Sequence, residues 1–226
     1  KPGKLARQST LLLIASLLLI HPSTGTAFFY VIYSERLLCF VFMLYLTSYL
    51  SYQNSGKSSS FYLTFLWALI GIYVKDIAIL LFVIPPASLW LVDLKNKRLG
   101  QHDQKDHAFT RPAHQLEKWL CSLTVVFITS YIFLSLIPSS YADRGAYNES
   151  TGFSFIPDLR LCIFAVIVIL RATAVLTKRI EFNLLDAINL SAIAYIAALA
   201  FTYVFDANSY LSLPIQLIAT INIGWV

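Results

Sequence analysis

Residues 33–52, YSERLLCFVFMLYLTSYLSY, place the charged pair Glu35-Arg36 at the head of an apolar and aromatic run that continues to Tyr52. A charge beside hydrocarbon is costly, so a chain that keeps two at the end of a membrane segment usually has a use for them. The arrangement recurs at Lys75-Asp76, the only residues between apolar runs at 61–74 and 77–93. Earlier, His21-Pro22 closes a run at 10–21, where proline stops a helix and histidine suits an interface.

Composition supports the membrane reading. Hydrophobic residues make up 58% of the chain and charged residues 13%, against about 25% charged in a soluble domain. The 16 Phe and 13 Tyr suit side chains lying against lipid and at its interfaces. The net charge of +5 does not point to nucleic acid, because the basic residues lie in short loops, where they report topology.

Further apolar runs cover 37–52, 118–137, 159–177, 184–205 and 211–226. A straight helix needs about 20 residues to cross the hydrocarbon core, so the runs at 61–74 and 77–93 require tilt or extension into their flanks. The expected fold is all-α: a polytopic transmembrane helical bundle of about seven to eight spans, forming a single membrane domain over 1–226. Both chain ends read as cut from something longer. Residues 1–20 have the charge and apolar core of a signal peptide but no small-residue cleavage site, and read as a retained helix. Residues 24–35 resemble an interfacial or re-entrant segment. Pro85-Pro86 should kink the run that contains them.

With a cytoplasmic N-terminus and alternating spans, the loops on that side hold Lys1, Lys4, Arg7, Lys57, Lys95, Lys97, Arg98, Lys105, Arg111, Lys118, Lys178 and Arg179. The opposite side receives Arg36, Lys75, Arg144 and Arg160, and Arg171 stays within a span. This asymmetry obeys the positive-inside rule and was not used to choose the spans. It makes loop 94–117 cytoplasmic and loop 138–158 external or lumenal. The external loop carries Asp143-Arg144 and the sequon Asn148-Glu149-Ser150. The histidines His102, His107 and His114 are irregularly spaced, which fits a solvated loop rather than a metal site. Cys39, Cys121 and Cys162 fall inside apolar runs without metal spacing and read as buried small apolar side chains. Asp186 and Asp206 read as structural residues at span ends.

Alternation puts Glu35-Arg36 and Lys75-Asp76 at the same membrane face. Arginine offers a planar fork of donors suited to phosphate oxygens, and lysine adds a mobile point charge. Together they suit a phosphate or pyrophosphate leaving group, with Asp76 or Glu35 as a carboxylate that orients them or acts as a base. The plain alternative is that both cations snorkel to headgroups and both pairs are merely solvated.

The stretch 11–94 resembles the central part of the polyprenyl-phosphate-sugar-dependent glycosyltransferases of the GT-C class, in particular the protein O-mannosyltransferase-like group. In that group a span ends in His-Pro, a Ser-Gly-Arg-x-Asp-Leu-Leu-like signature opens the next, and a Lys-Glu or Lys-Pro element joins a later pair. An Ala, a Pro and a terminal Asp-Leu follow. This chain has His21-Pro22, Ser34-Glu35-Arg36-Leu37-Leu38, Lys75-Asp76, Ala78, Pro85 and Asp93-Leu94 in that order. It departs in two places: Ser23-Thr24-Gly25-Thr26 replaces the acid that often follows His-Pro, and Ser-Glu-Arg replaces Ser-Gly-Arg.

The resemblance implies a GT-C-like membrane domain that transfers a sugar from a polyprenyl-phosphate donor to an acceptor at the external face. Arg36 and Lys75 would contact the donor phosphate, and His21, Asp143 and Arg144 would line the site. The family's catalytic acids lie in the first external loop, upstream of the matched region, which leaves Asp76 and Glu35 as the candidate acids here. No divalent metal is indicated. Two other readings stand beside this one. A lipid-linked oligosaccharide polymerase or ligase also sets external arginines against a lipid pyrophosphate. A non-catalytic membrane subunit would pack its aromatic spans against membrane lipids and other membrane subunits.

Overall fold

The computed structural model describes residues 15, 16, 24, 34–98, 115–135, 155–202 and 205–225. Seven α-helices account for most of them: α1 Glu35–Ser55, α2 Ser58–Val74, α3 Ile79–Arg98, α4 Gln115–Ser135, α5 Leu159–Leu176, α6 Leu184–Thr202 and α7 Leu213–Trp225. Short 3-10 turns at Asp76–Ala78 and Tyr210–Ser212 lead into α3 and α7. The strands β1 Phe155–Ile156 and β2 Phe205–Asp206 form one parallel pair, a small exception to an otherwise helical chain.

Each apolar run from residue 37 onward coincides with a helix. Among the described residues, four helices are long and apolar enough to cross a membrane: α3, α4, α5 and α6. The apolar segments Ser58–Val74 and Tyr210–Gly224 are shorter. Helix α1 has the length, at 21 residues, but its second half carries Thr47, Ser48, Ser51, Gln53 and Asn54. The run at 10–21 and the segment 24–35 lie outside the described residues apart from Ala15, Ser16, Thr24, Ser34 and Glu35.

Several boundaries differ from the expected loops. Lys95 and Arg98 belong to the last turns of α3, and Gln115 to Lys118 to the first turn of α4, so both helices extend into the segment 94–117. Basic side chains at a helix C-terminus complement its dipole, which favours this extension. Segment 138–158 holds β1 and the cap of α5 at its end. The cysteines are free thiols but not buried ones: Cys39 and Cys121 are half-buried and Cys162 is exposed. A small apolar side chain on a lipid-facing helix needs no protein cover, so an apolar run does not imply burial in the protein.

The chain divides into two compact units. One comprises Phe40–Glu149 and Phe182–Ser191. Its core is a ladder of aromatic side chains on α1: Phe42, Tyr45, Tyr49 and Tyr52, at helical spacing and all buried. Phe82 of α3 meets this ladder edge-on, with ring centroids 5.6 Å from Phe42 and 5.2 Å from Tyr45. Helices α2, α3 and α4 pack mutually. The α1–α2 connection is tight because Gly56 has φ 65° and donates its N–H to Tyr52 O at 2.8 Å. Glycine reaches that left-handed conformation without steric cost and ends the helix there. Pro85 and Pro86 both stay inside α3. A proline at position i removes the N–H that would bond the carbonyl of residue i−4. The Phe82 carbonyl, deprived by Pro86, instead accepts a hydrogen bond from Tyr45 Oη at 3.4 Å.

Helix α6 begins with a reciprocal cap in this unit. Asn183 Oδ1 accepts from the N–H groups of Leu185 and Asp186, at 3.0 and 3.3 Å, while Asp186 Oδ2 accepts from Asn183 N–H at 3.1 Å. Asp186 therefore holds the structural role read for it.

The other unit comprises Lys1–Cys39, Ser150–Glu181 and Ala192–Val226. Here α5 packs on α7, whose residues from Leu213 to Thr220 are all buried. Asp158 caps α5 by accepting from Leu161 N–H at 2.9 Å. The helix ends in a Schellman motif: Lys178 N–H bonds Val175 O at 3.0 Å and Arg179 N–H bonds Ala174 O at 2.9 Å. Lys178 occupies the left-handed position that glycine usually takes, with φ 58°.

Candidate functional site

Of the residues singled out for chemistry, Glu35 and Arg36 open α1. Ser34 precedes them and its carbonyl accepts from Leu38 N–H at 2.8 Å, which closes the first turn. An acid in that turn complements the helix dipole. Glu35 is 2% exposed and Arg36 half-buried, and both have interaction partners.

Lys75 lies at the junction of α2 and the first 3-10 turn, with extended backbone (φ −156°, ψ 139°). Its carbonyl accepts from Ala78 N–H at 3.0 Å, so the turn begins within three residues of the helix end. Lys75 is half-buried and also has a partner. Asp76 opens the turn itself. Glu35 and Arg36 belong to one compact unit, and Lys75 and Asp76 to the other. His21, Asp143 and Arg144 lie outside the described residues.

Two polar groupings went unread in the sequence. The first is in the aromatic unit, where Tyr49 Oη donates to Glu117 Oε1 at 2.7 Å. Tyr49 is fully buried and Glu117 9% exposed. Glu117 sits in the first turn of α4, beside Lys118, and looked like part of a solvated loop.

The second grouping gathers where α5, β2 and α7 meet, all in the other unit. The parallel pairing sets Phe155 opposite Phe205 and Ile156 opposite Asp206, and Ala207 N–H continues it to Ile156 O at 2.9 Å. The Ala207 carbonyl then receives Ser212 Oγ at 2.6 Å and Gln216 Nε2 at 3.2 Å. Gln216 Nε2 also reaches the capping Asp158 Oδ1 at 3.4 Å. Gln216 is fully buried and its Oε1 accepts no hydrogen bond. Asp206 Oδ1 accepts from Asn208 N–H at 2.9 Å, closing the turn between β2 and α7. The signal in the sequence was Gln216 and Thr220, four residues apart inside the apolar run 211–226, since polar side chains in such a run are costly unless they meet partners.

Two residues along from the Asp158 cap, Arg160 of α5 is half-buried, and its Nη1 is buried without a hydrogen-bond partner. In this unit a narrow groove of about 270 Å³ runs along α5 and α6, lined entirely by apolar residues and Cys162.

Protein-family models, curated proteins and solved structures were all compared with the chain, and none matches it. The geometry therefore has to carry the functional reading.

Proposed function

We propose that the chain is a membrane glycosyltransferase, or a fragment of one, that transfers a sugar from a polyprenyl-phosphate donor to an acceptor at the external membrane face. The observation that carries this reading is Lys75: a half-buried cation held in extended backbone between an apolar helix and a 3-10 turn. Under this reading its primary ammonium would neutralise a phosphate leaving group as negative charge develops on it. Arg36, half-buried at the head of α1, is tested separately, since a guanidinium has the bidentate geometry for phosphate oxygens. Under this reading the chain crosses the membrane seven to eight times with a cytoplasmic N-terminus, and Arg36 and Lys75 face outward.

The test is sugar transfer in membranes supplied with a polyprenyl-phosphate sugar. Lys75→Ala and Arg36→Ala, assayed separately, should each lower the rate about 100-fold, while both variants insert at wild-type levels. Lys75→Arg should keep most of the activity. Wild-type rates in both alanine variants would sink the assignment. Transfer from a lipid pyrophosphate alone would favour the polymerase or ligase variant.

A second reading, a non-catalytic membrane subunit, draws on α4. That helix exposes Trp119, Val125, Tyr131 and Phe133, the last at 71%. Native mass spectrometry after mild extraction separates the two readings, because a subunit should be recovered with a second chain in fixed stoichiometry.

A further inference from the structure

We propose that one end of the aromatic unit, where α2 begins, α3 ends and α4 begins, is a contact surface for the headgroups of anionic phospholipids. Four exposed cations from separate parts of the sequence gather there: Lys57, Lys95, Arg98 and Lys118. Helices α1 and α2 form a hairpin across Gly56, with Ser51 Oγ and Ser60 Oγ 3.0 Å apart on the two sides of the turn. That hairpin sets Lys57 at the tip.

Helix α4 runs parallel to α2. Phe65 meets Trp119 with ring centroids 5.9 Å apart, and at the same step further along both helices Tyr73 meets Phe127 at 6.3 Å. The first turn of α4, with Lys118, therefore lies beside the second turn of α2. Helical side chains lean toward the N-terminus, which carries the Lys118 ammonium outward to the tip. Helix α3 starts at the other end, beyond the turn Asp76–Ala78, with Phe82 against Gly71 of α2. It packs along α4, so its last turns return Lys95 and Arg98 to the end where α2 and α4 begin.

The carboxylates near this end are withdrawn from its surface. Asp93 is half-buried, and Glu117 is buried with Oε1 accepting from Tyr49 Oη at 2.7 Å. The exposed charge is thus positive. At the far end of α2, by contrast, Lys75 is half-buried and stands next to Asp76.

The flanks say what the cations face. Tyr62 and Trp119 are exposed beside them, and Leu66, Ile70, Val125 and Ile128 are exposed further along the same helices. Cations, then amphipathic aromatics, then aliphatic side chains is the order of a bilayer from headgroup to hydrocarbon. This end therefore lies at the headgroup layer, where basic side chains attract anionic lipid. A zwitterionic lipid offers the same phosphate with a compensating cation, so the surface should select net negative charge.

The experiment uses Trp119 as the reporter, in the full chain carrying Trp67→Phe, Trp90→Phe and Trp225→Phe. The chain is reconstituted in vesicles of equal parts phosphatidylglycerol and phosphatidylcholine, one or the other brominated near the glycerol end of its acyl chains, since bromine quenches tryptophan on contact. Quenching should show phosphatidylglycerol enriched about fivefold at Trp119 in about 0.05 M salt and less than twofold in about 0.5 M, because exposed charges are screened. Lys57→Gln, Lys95→Gln, Arg98→Gln and Lys118→Gln together should bring the low-salt enrichment below twofold, and Lys118→Arg alone should keep it. Elution as a single species before reconstitution shows that a variant is folded, and the salt series decides the matter on unaltered cations. Equal quenching by the two lipids, an enrichment indifferent to salt, or one that survives the four substitutions would each overturn the proposal. Retention of an oligonucleotide or of polyglutamate in neutral detergent, with equal quenching by the two lipids, would assign the surface to a soluble polyanion instead. The proposal rests on the membrane reading of the helices and reads out no sugar transfer, so its failure is separate from failure of the transferase reading.

Discussion

Tyr45 donates its hydroxyl to the carbonyl oxygen of Phe82 at 3.4 Å, the carbonyl that Pro86 leaves without its helical N–H. One side chain of α1 thus mends the hydrogen-bond ladder of α3. Inside a membrane such repair has to come from protein, because lipid offers no donor. Tyr45→Phe should destabilise the chain by about 0.6–1.5 kcal/mol, seen as a lower midpoint of SDS-induced unfolding in mixed micelles. The loss should shrink in a Pro86→Ala background, where the backbone regains its own donor. Additive effects in that double-mutant cycle would show that the two residues are uncoupled.

Gly71 of α2 faces the same ring. A Cβ there would clash with the ring of Phe82, which is fully buried between Phe42 and Tyr45. Gly71→Ala should therefore cost about 1–3 kcal/mol through overpacking, despite alanine's better helix propensity. Phe82→Leu should recover part of the loss when combined with it. A neutral Gly71→Ala in the same unfolding assay would show that the ring moves freely.

Lys178 pays a conformational penalty at the end of α5. Its φ of 58° places a side chain where L-residues are disfavoured by roughly 1–2 kcal/mol. Its exposed position leaves little packing to lose, so Lys178→Gly should raise the unfolding midpoint by an amount equivalent to about 1 kcal/mol. A lower midpoint would mean that the lysine side chain has a compensating role.

The proposed sidedness is open to labelling. Single cysteines introduced as Gly100→Cys and Ser140→Cys, in a chain whose native cysteines are replaced by serine, should react with an impermeant maleimide from opposite sides of sealed vesicles. Labelling of both from one side would overturn the span alternation and, with it, the external placement of Arg36 and Lys75.

The sequence alone determined that the chain is a set of apolar helices, and the seven helices follow the apolar runs closely. Hydrophobicity acts over one segment at a time, so it needs no knowledge of neighbours. Asp186, read as a structural residue at a span end, belongs to the same class, because a cap is closed within a few residues. Of the charged residues, the sequence placed Lys75-Asp76 at a helix junction and Glu35-Arg36 at a helix start, since both positions are local.

Tertiary structure decided everything that depended on what faces what. Cys162 became exposed and Tyr45 buried although both sit in apolar runs, because burial in a membrane helix depends on which face meets protein and which meets lipid. Gln216 met the Asp158 cap across 58 residues of chain, and Glu117 met Tyr49 across 68. A buried polar side chain in an apolar run announces that it needs a partner, but only packing names the partner.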